Sequence, residues 1–285
     1  MIGLTCAVNE EFQAAVKCLA EPVERKRSGE FEMAMGTLGS VPVVVIRHGT
    51  GKVAAAAAAQ LAIERYHPRA LINFGAAGSL VDDLRVGDVV VAEKLYQGDL
   101  GVVHGEGFRH TGAACHHGDE AVFVREYEAD PSLIGAARKV AREMSPLDGG
   151  ASIQFGPVVS CDQVILSREF REELRGRFGA IAVEMEGASV AHVASMNRCG
   201  FLVVRSVSDA VDLDIVGLEE VIRYSGESGA ACWSRRAKFV ALHPGAIEKM
   251  RSLSGGLKIA SRNAARVACS VARKFGETRE DMPGR

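Results

Sequence analysis

The 285-residue chain carries 34 Lys and Arg against 36 Asp and Glu, is 47% hydrophobic and 25% charged, and holds 31 Gly but only 8 Pro. That composition excludes collagen-like, disordered and disulfide-scaffold classes, and a net charge of −2 gives no basic face for nucleic acid. The charge is unevenly placed, because residues 244–285 hold nine basic and four acidic residues, which leaves residues 1–243 at a net −7.

In chain order, short β-branched runs alternate with helical patterns. Strands are expected at 2–8, 41–46, 70–74, 86–92, 152–160, 180–183 and 201–207, and helices at 10–19, 52–66, 167–178, 186–196 and 218–242. The runs are near-continuously apolar, as strands covered on both faces should be. The expected fold is therefore α/β: a single three-layer α/β/α domain over residues 1–243, with a mixed, largely parallel central sheet. Residues 97–120 break the rhythm and read as a long loop. The spacing of His104, His110, His116 and His117 within it fits no metal-ligand pattern, so no metal is expected. In residues 244–285, Leu257, Ala260, Ala264, Ala268, Val271 and Phe275 recur at helical spacing, with Lys258, Arg262, Arg266, Arg273 and Lys274 on the remaining surface. This is a basic amphipathic helix forming a C-terminal extension. It is expected to dock on the body, the alternative being peripheral contact with an anionic membrane.

Seven scattered cysteines with no C-x-x-C fit reduced thiols in a cytoplasmic protein. The N-terminus lacks a basic n-region, and no run of about 18 apolar residues occurs.

Two glycine loops follow strands. His48-Gly49-Thr50-Gly51-Lys52 fails as a phosphate loop, because Ile46 stands where the first Gly is needed and Val53 replaces the Ser or Thr. Gly75-Ala76-Ala77-Gly78 is not a dinucleotide fingerprint, yet both loops let a ligand approach the backbone closely. Carboxylates also gather at strand ends: Glu10 and Glu11 after the first strand, Glu184 and Glu186 after 180–183, and Asp209, preceded by Ser208, after 201–207. Three strands delivering acids to one sheet edge point to a chemical site.

The Ala-Val-x-Glu-Glu ending at 7–11, the Gly-x-Gly-Lys-Val-Ala-Ala-Ala run at 49–56, Ile-Asn-Phe-Gly-Ala-Ala-Gly-Ser at 72–79, Val-Gly-Asp-Val-Val-Val at 86–91, Val-Glu-Met-Glu-Gly-Ala-Ser at 183–189 and Val-Val-Arg-Ser-Val-Ser-Asp at 203–209 together resemble the nucleoside phosphorylase superfamily. Within it they look like the 5′-methylthioadenosine/S-adenosylhomocysteine nucleosidase branch, over roughly residues 1–240. The resemblance implies a homodimeric hydrolase without cofactor that releases adenine from a 5′-modified adenosine. It implies Asp209 as the acid that protonates N7, Glu11 as the base for water and Glu186 on the ribose hydroxyls. Met185 would pack on the sugar, Val164 and Ile165 would face the purine, and Glu184, Thr50, Ala76 and Gly78 would line the pocket. Ser208 and Arg205 would orient Asp209.

The sequence departs from that branch at two places. Ala76 replaces a Ser that helps hold the attacking water. Val164 replaces an aromatic residue whose stacking contributes about 0.5–1.5 kcal/mol. These departures leave futalosine or adenosylhopane as alternative substrates, and a catalytically inactive nucleoside-binding protein as a second alternative. Where phosphorylases of the superfamily carry Arg, this chain has Asn9-Glu10-Glu11 and Phe74-Gly75-Ala76, so water is the expected nucleophile. Only Arg47 and His48 could supply charge to a phosphate, which keeps phosphorolysis as the alternative reaction.

Overall fold

The computed structural model describes residues 1–105, 107–117, 119–144, 146–209 and 246–278. The helix expected at 218–242 lies outside them.

The sheet grows from β1 (Ile2–Cys6), buried at every position, between β4 (Val41–Arg47) and β5 (Ala70–Ser79), both parallel to it. β14 (Gly200–Asp209) runs parallel to β5 on its other side. A second parallel set joins β6 (Val89–Gln97), β12 (Ile153–Ser160) and β13 (Ala182–Glu184). Antiparallel seams connect the sets, β13 to the end of β5 and β14 to β6, so these five strands close into a ring. Antiparallel β2 (Ala20–Ser28), β3 (Phe31–Leu38) and β11 (Tyr127–Glu128) extend the edges, making the sheet mixed.

Helices cover both faces. α2 (Lys52–Tyr66) buries Ala55, Ala58, Ala59 and Ala62 and packs against α5 (Gly187–Met196). The small alanine face lets the helix approach β1 and β4 closely. On the other side α1 (Asn9–Val16) and α3 (Pro131–Met144) pack against α6 (Ala246–Glu277), which lies on β5 and β14. α4 (Arg168–Phe178) starts at a Ser167 cap whose hydroxyl accepts from Phe170 N at 3.1 Å.

Ala260, Ala264, Ala268, Val271 and Phe275 of the apolar stripe are buried in the same cluster as the sheet, while Lys258, Arg262 and Arg273 face outward. Arg266 and Lys274 pair with Asp148 (2.6 Å) and Glu143 (2.7 Å) of the body. The helix is therefore docked, and the stripe that a membrane contact would require is already covered.

The expected strands and helices that fall on described residues are present. β2, β3 and α3 were not foreseen: β2 reads AEPVERKRS, an exposed edge strand without apolar alternation. Residues 97–120 are not one loop but lead into two hairpins, β7 (Gly101–His104) with β8 (Gly107–His110) and β9 (Ala113–His117) with β10 (Glu120–Val124). Their positions are mostly exposed on both faces, so no inward-outward pattern marks them in the sequence.

Candidate active site

Glu11 lies in the first turn of α1, with its carboxylate folded back onto the chain leaving β1. One oxygen accepts from Ala7 N (2.9 Å) and Val8 N (3.1 Å), and the other accepts from Ala76 N at 2.9 Å, tying α1 to β5. Burial pushes its pKa up, opposed by the Arg205 guanidinium and the three N–H donors. The approach to β5 requires Gly75, where an added Cβ would lie 2.5 Å from Glu11 Oε1 and 2.7 Å from Arg205 Nη1.

Arg205, 1% exposed, is the hub. Its guanidinium bonds Glu184, lies 3.4 Å from Glu186 Oε2 and donates to Asn73, whose amide in turn donates to Thr5 Oγ1 at 3.1 Å. It thus joins β14 to β13 through an ion pair and to β5 and β1 through hydrogen bonds. Among the described side chains its charged partners are these two glutamates, while its expected role toward Asp209 falls on a side chain outside them.

The adjacent acids have different environments. Glu184 points inward, its oxygens taken by Ser160 Oγ, Arg205 and the amides of Glu186 (2.9 Å) and Gly187 (2.8 Å), so it fixes the start of α5. Glu186 reaches across to Gly51 N at 2.9 Å. Burial first, and then repulsion from Glu184 and Glu11, raises its pKa to about 7 against the pull of Arg205.

One cavity gathers these groups. Ala7, Val8 and Glu11 line it from the β1–α1 junction, Thr50 from the first glycine loop, Ala76, Ala77 and Gly78 from β5, and Glu184, Met185 and Glu186 from the β13–α5 turn. Gln163, Val164 and Ile165 form another wall, with Arg205 and Ser208 from β14. Every expected substrate-binding residue and Arg205 therefore line one space. Asp209 ends β14 opposite Gly78, just past a register shift, and its side chain lies outside the described ones. The loop after β12 is held down by Asp162, which accepts from Lys52 N at 2.8 Å, while its own N–H donates to Asp99 at 2.8 Å.

Two lining residues come from helices in which no site residue was expected. Arg171, buried in α4, donates to Ile165 O and Ser79 O, both at 3.0 Å, and so fixes the 163–165 wall. Leu257 comes from α6, where its apolar spacing identified only a helix face. Gly256 permits this placement: a Cβ there would stand 2.4 Å from Ser208 O.

The two residues considered for phosphate charge do not supply it. Arg47 is held by Glu32 through Nε (3.2 Å) and Nη2 (2.8 Å). His48 is 7% exposed, and burial pushes its pKa down to about 4, so it is neutral.

A phosphorylase superfamily model matches residues 1–231. The chain belongs to that superfamily. Curated relatives in it include the 5′-methylthioadenosine/S-adenosylhomocysteine nucleosidase of Listeria monocytogenes, 30% identical over 233 residues, which are 81% of this chain and 96% of the relative. The enzyme of the same name from Maridesulfovibrio salexigens is 31% identical over 231 residues, 81% of this chain and 94% of that one. The Neisseria meningitidis nucleosidase solved with methylthio-immucillin-A has a TM-score of 0.71 at 26% identity, covering 95% of this chain and 97% of that one. The futalosine hydrolase of Helicobacter pylori has a TM-score of 0.71 at 25% identity with the same coverage. A likeness spanning 95% of the chain reaches into α6, beyond the residue-240 limit of the sequence motifs.

Within this superfamily site, Glu186 has a testable signature. Its folded-state pKa of about 7 exceeds the ordinary 4.5, so the folded chain binds more protons between those values. Its stabilising contribution is complete below about pH 4.5 and is lost as pH rises through about 7. Glu186→Gln is expected to flatten the fall of the thermal midpoint over that window, as measured by calorimetry; an unchanged slope would show that Glu186 does not titrate there.

Proposed function

We propose that the protein is a purine nucleosidase that hydrolyses the N-glycosidic bond of a 5′-modified adenosine, of the methylthioadenosine and S-adenosylhomocysteine type, and releases adenine. The observation that carries this reading is the convergence of Glu11 and Glu186 on one cavity that the end of β14 also reaches. Glu186 as a carboxylate accepts the ribose hydroxyls, with Met185 against the sugar. Glu11, buried with its pKa raised, takes a proton from water as that water attacks the anomeric carbon. Asp209 gives a proton to N7, so that a neutral purine departs. Val164 and Ile165 flank the base, and Leu257 closes the pocket from α6. Because Glu186 must be ionised to accept from a hydroxyl, KM is expected to rise as pH falls below about 7.

Hydrolysis is favoured over phosphorolysis because carboxylates surround the attack position, while Arg47 is engaged by Glu32 and His48 is neutral. A phosphate dianion would meet repulsion there. The likeness to a futalosine hydrolase makes futalosine the second substrate to try. The test is to incubate the pure protein with methylthioadenosine, S-adenosylhomocysteine, futalosine and inosine in phosphate-free buffer and follow the released base. Adenine from the first two supports the assignment, base from futalosine alone moves it to that substrate, and no base from any of them refutes it.

We further propose a cytoplasmic homodimer. Val53, Val102, Val103 and Phe123 are 53–83% exposed, apolar surface of the kind a second copy covers. No helix among the described residues is long and apolar enough to cross a membrane.

A further inference from the structure

Away from the nucleoside pocket, β9 places Cys115 against α5. Its sulfur lies 3.3 Å from His192 Nε2, and the Gln97 side-chain amide lies 3.2 Å from His192 Nδ1. Gln97 is held in turn by the Tyr127 hydroxyl at 3.3 Å, and the Tyr127 ring stacks on the imidazole with centroids 5.4 Å apart. A thiol within reach of an imidazole whose far nitrogen is oriented by a third group is the arrangement that activates a nucleophile. The Gln97 amide can present its oxygen to Nδ1–H by turning over, which leaves the Nε2 lone pair facing the thiol. Cys115 is partly exposed, so a small reagent reaches it.

We propose that Cys115 is a nucleophilic thiol, activated by His192 and Gln97, that is modified by low-molecular-weight disulfides. His192 Nε2 takes the thiol proton, and the Cys115 thiolate attacks one sulfur of the disulfide. The S–S bond breaks, and the departing thiolate takes the proton back from the imidazolium. One disulfide is consumed, and one mixed disulfide and one thiol are formed. Burial lowers the His192 pKa, which keeps the ring neutral and able to accept the proton. Cys6, Cys161 and Cys269 are buried, whereas Cys115 is partly exposed.

The test treats the intact protein with bis(2-hydroxyethyl) disulfide and follows the adduct on the tryptic peptide spanning residues 110–125, in which Cys115 is the sole cysteine. Cys18, partly exposed and with its pKa lowered to about 7 by the neighbouring Cys269 thiol, serves as an internal reference away from His192. The expected result is that His192→Ala and Gln97→Leu each slow labelling of Cys115 by about ten-fold or more and leave Cys18 unchanged. An unlabelled Cys115 in the parent protein, or an unchanged Cys115 rate in Gln97→Leu and His192→Ala, would overturn the proposal. If His192→Ala exposes the buried thiols by unfolding, Gln97→Leu decides.

Discussion

Glu11→Gln is expected to lower kcat by about 10²–10⁴-fold, the range that a positioned general base contributes. The amide keeps the shape of the side chain but cannot take a proton from water. It also disturbs the site, because Glu11 accepts from the amides of Ala7, Val8 and Ala76 with both oxygens, and an NH₂ group must face one of those donors. Leaving a buried N–H unsatisfied costs about 1–3 kcal/mol. The kinetic loss must therefore be read beside a melting curve. With the variant folded at the assay temperature, a fall in kcat and loss of the acid-side limb of the pH profile, where the base ionises, assign the base to Glu11. Near-parental kcat would remove Glu11 from that role.

Arg205→Met is expected to destabilise the fold by about 3–5 kcal/mol, because deleting one partner of a buried ion cluster leaves the other charges uncompensated. Glu184 and Glu186 would both remain buried, and Glu11 would lose the cation that opposes its own desolvation. The deficit should shrink at acid pH, where the carboxylates take up protons and no longer need a counter-charge. Urea unfolding at acid and at neutral pH measures this directly. A deficit that does not change with pH would mean that Arg205 acts through packing and not through charge.

Much of this was legible in the sequence because the core strands are apolar on both faces. β1, β4 and β14 stand out wherever they lie, and the acids at the ends of β1, β13 and β14 mark one edge. Three features were not legible, for different reasons. Glu184 and Glu186 are alike in sequence, and the amides of the α5 turn decide that the first is consumed internally while the second reaches toward Gly51. The α6 stripe was expected to dock on the body, but nothing in it marks where. Its seat on β5 and β14 depends on Gly256 crossing the end of β14, a tertiary approach with no local signature. β2 escapes notice because an exposed edge strand can be rich in charge.

Water prepared by Glu11 is the proposed nucleophile that displaces the purine. The most direct measurement is turnover of methylthioadenosine in phosphate-free oxygen-18 water, with mass analysis of both products. Free adenine and a 5-methylthioribose carrying one heavy oxygen are the predicted result. No turnover until phosphate is added, with a sugar 1-phosphate as the product, would contradict it.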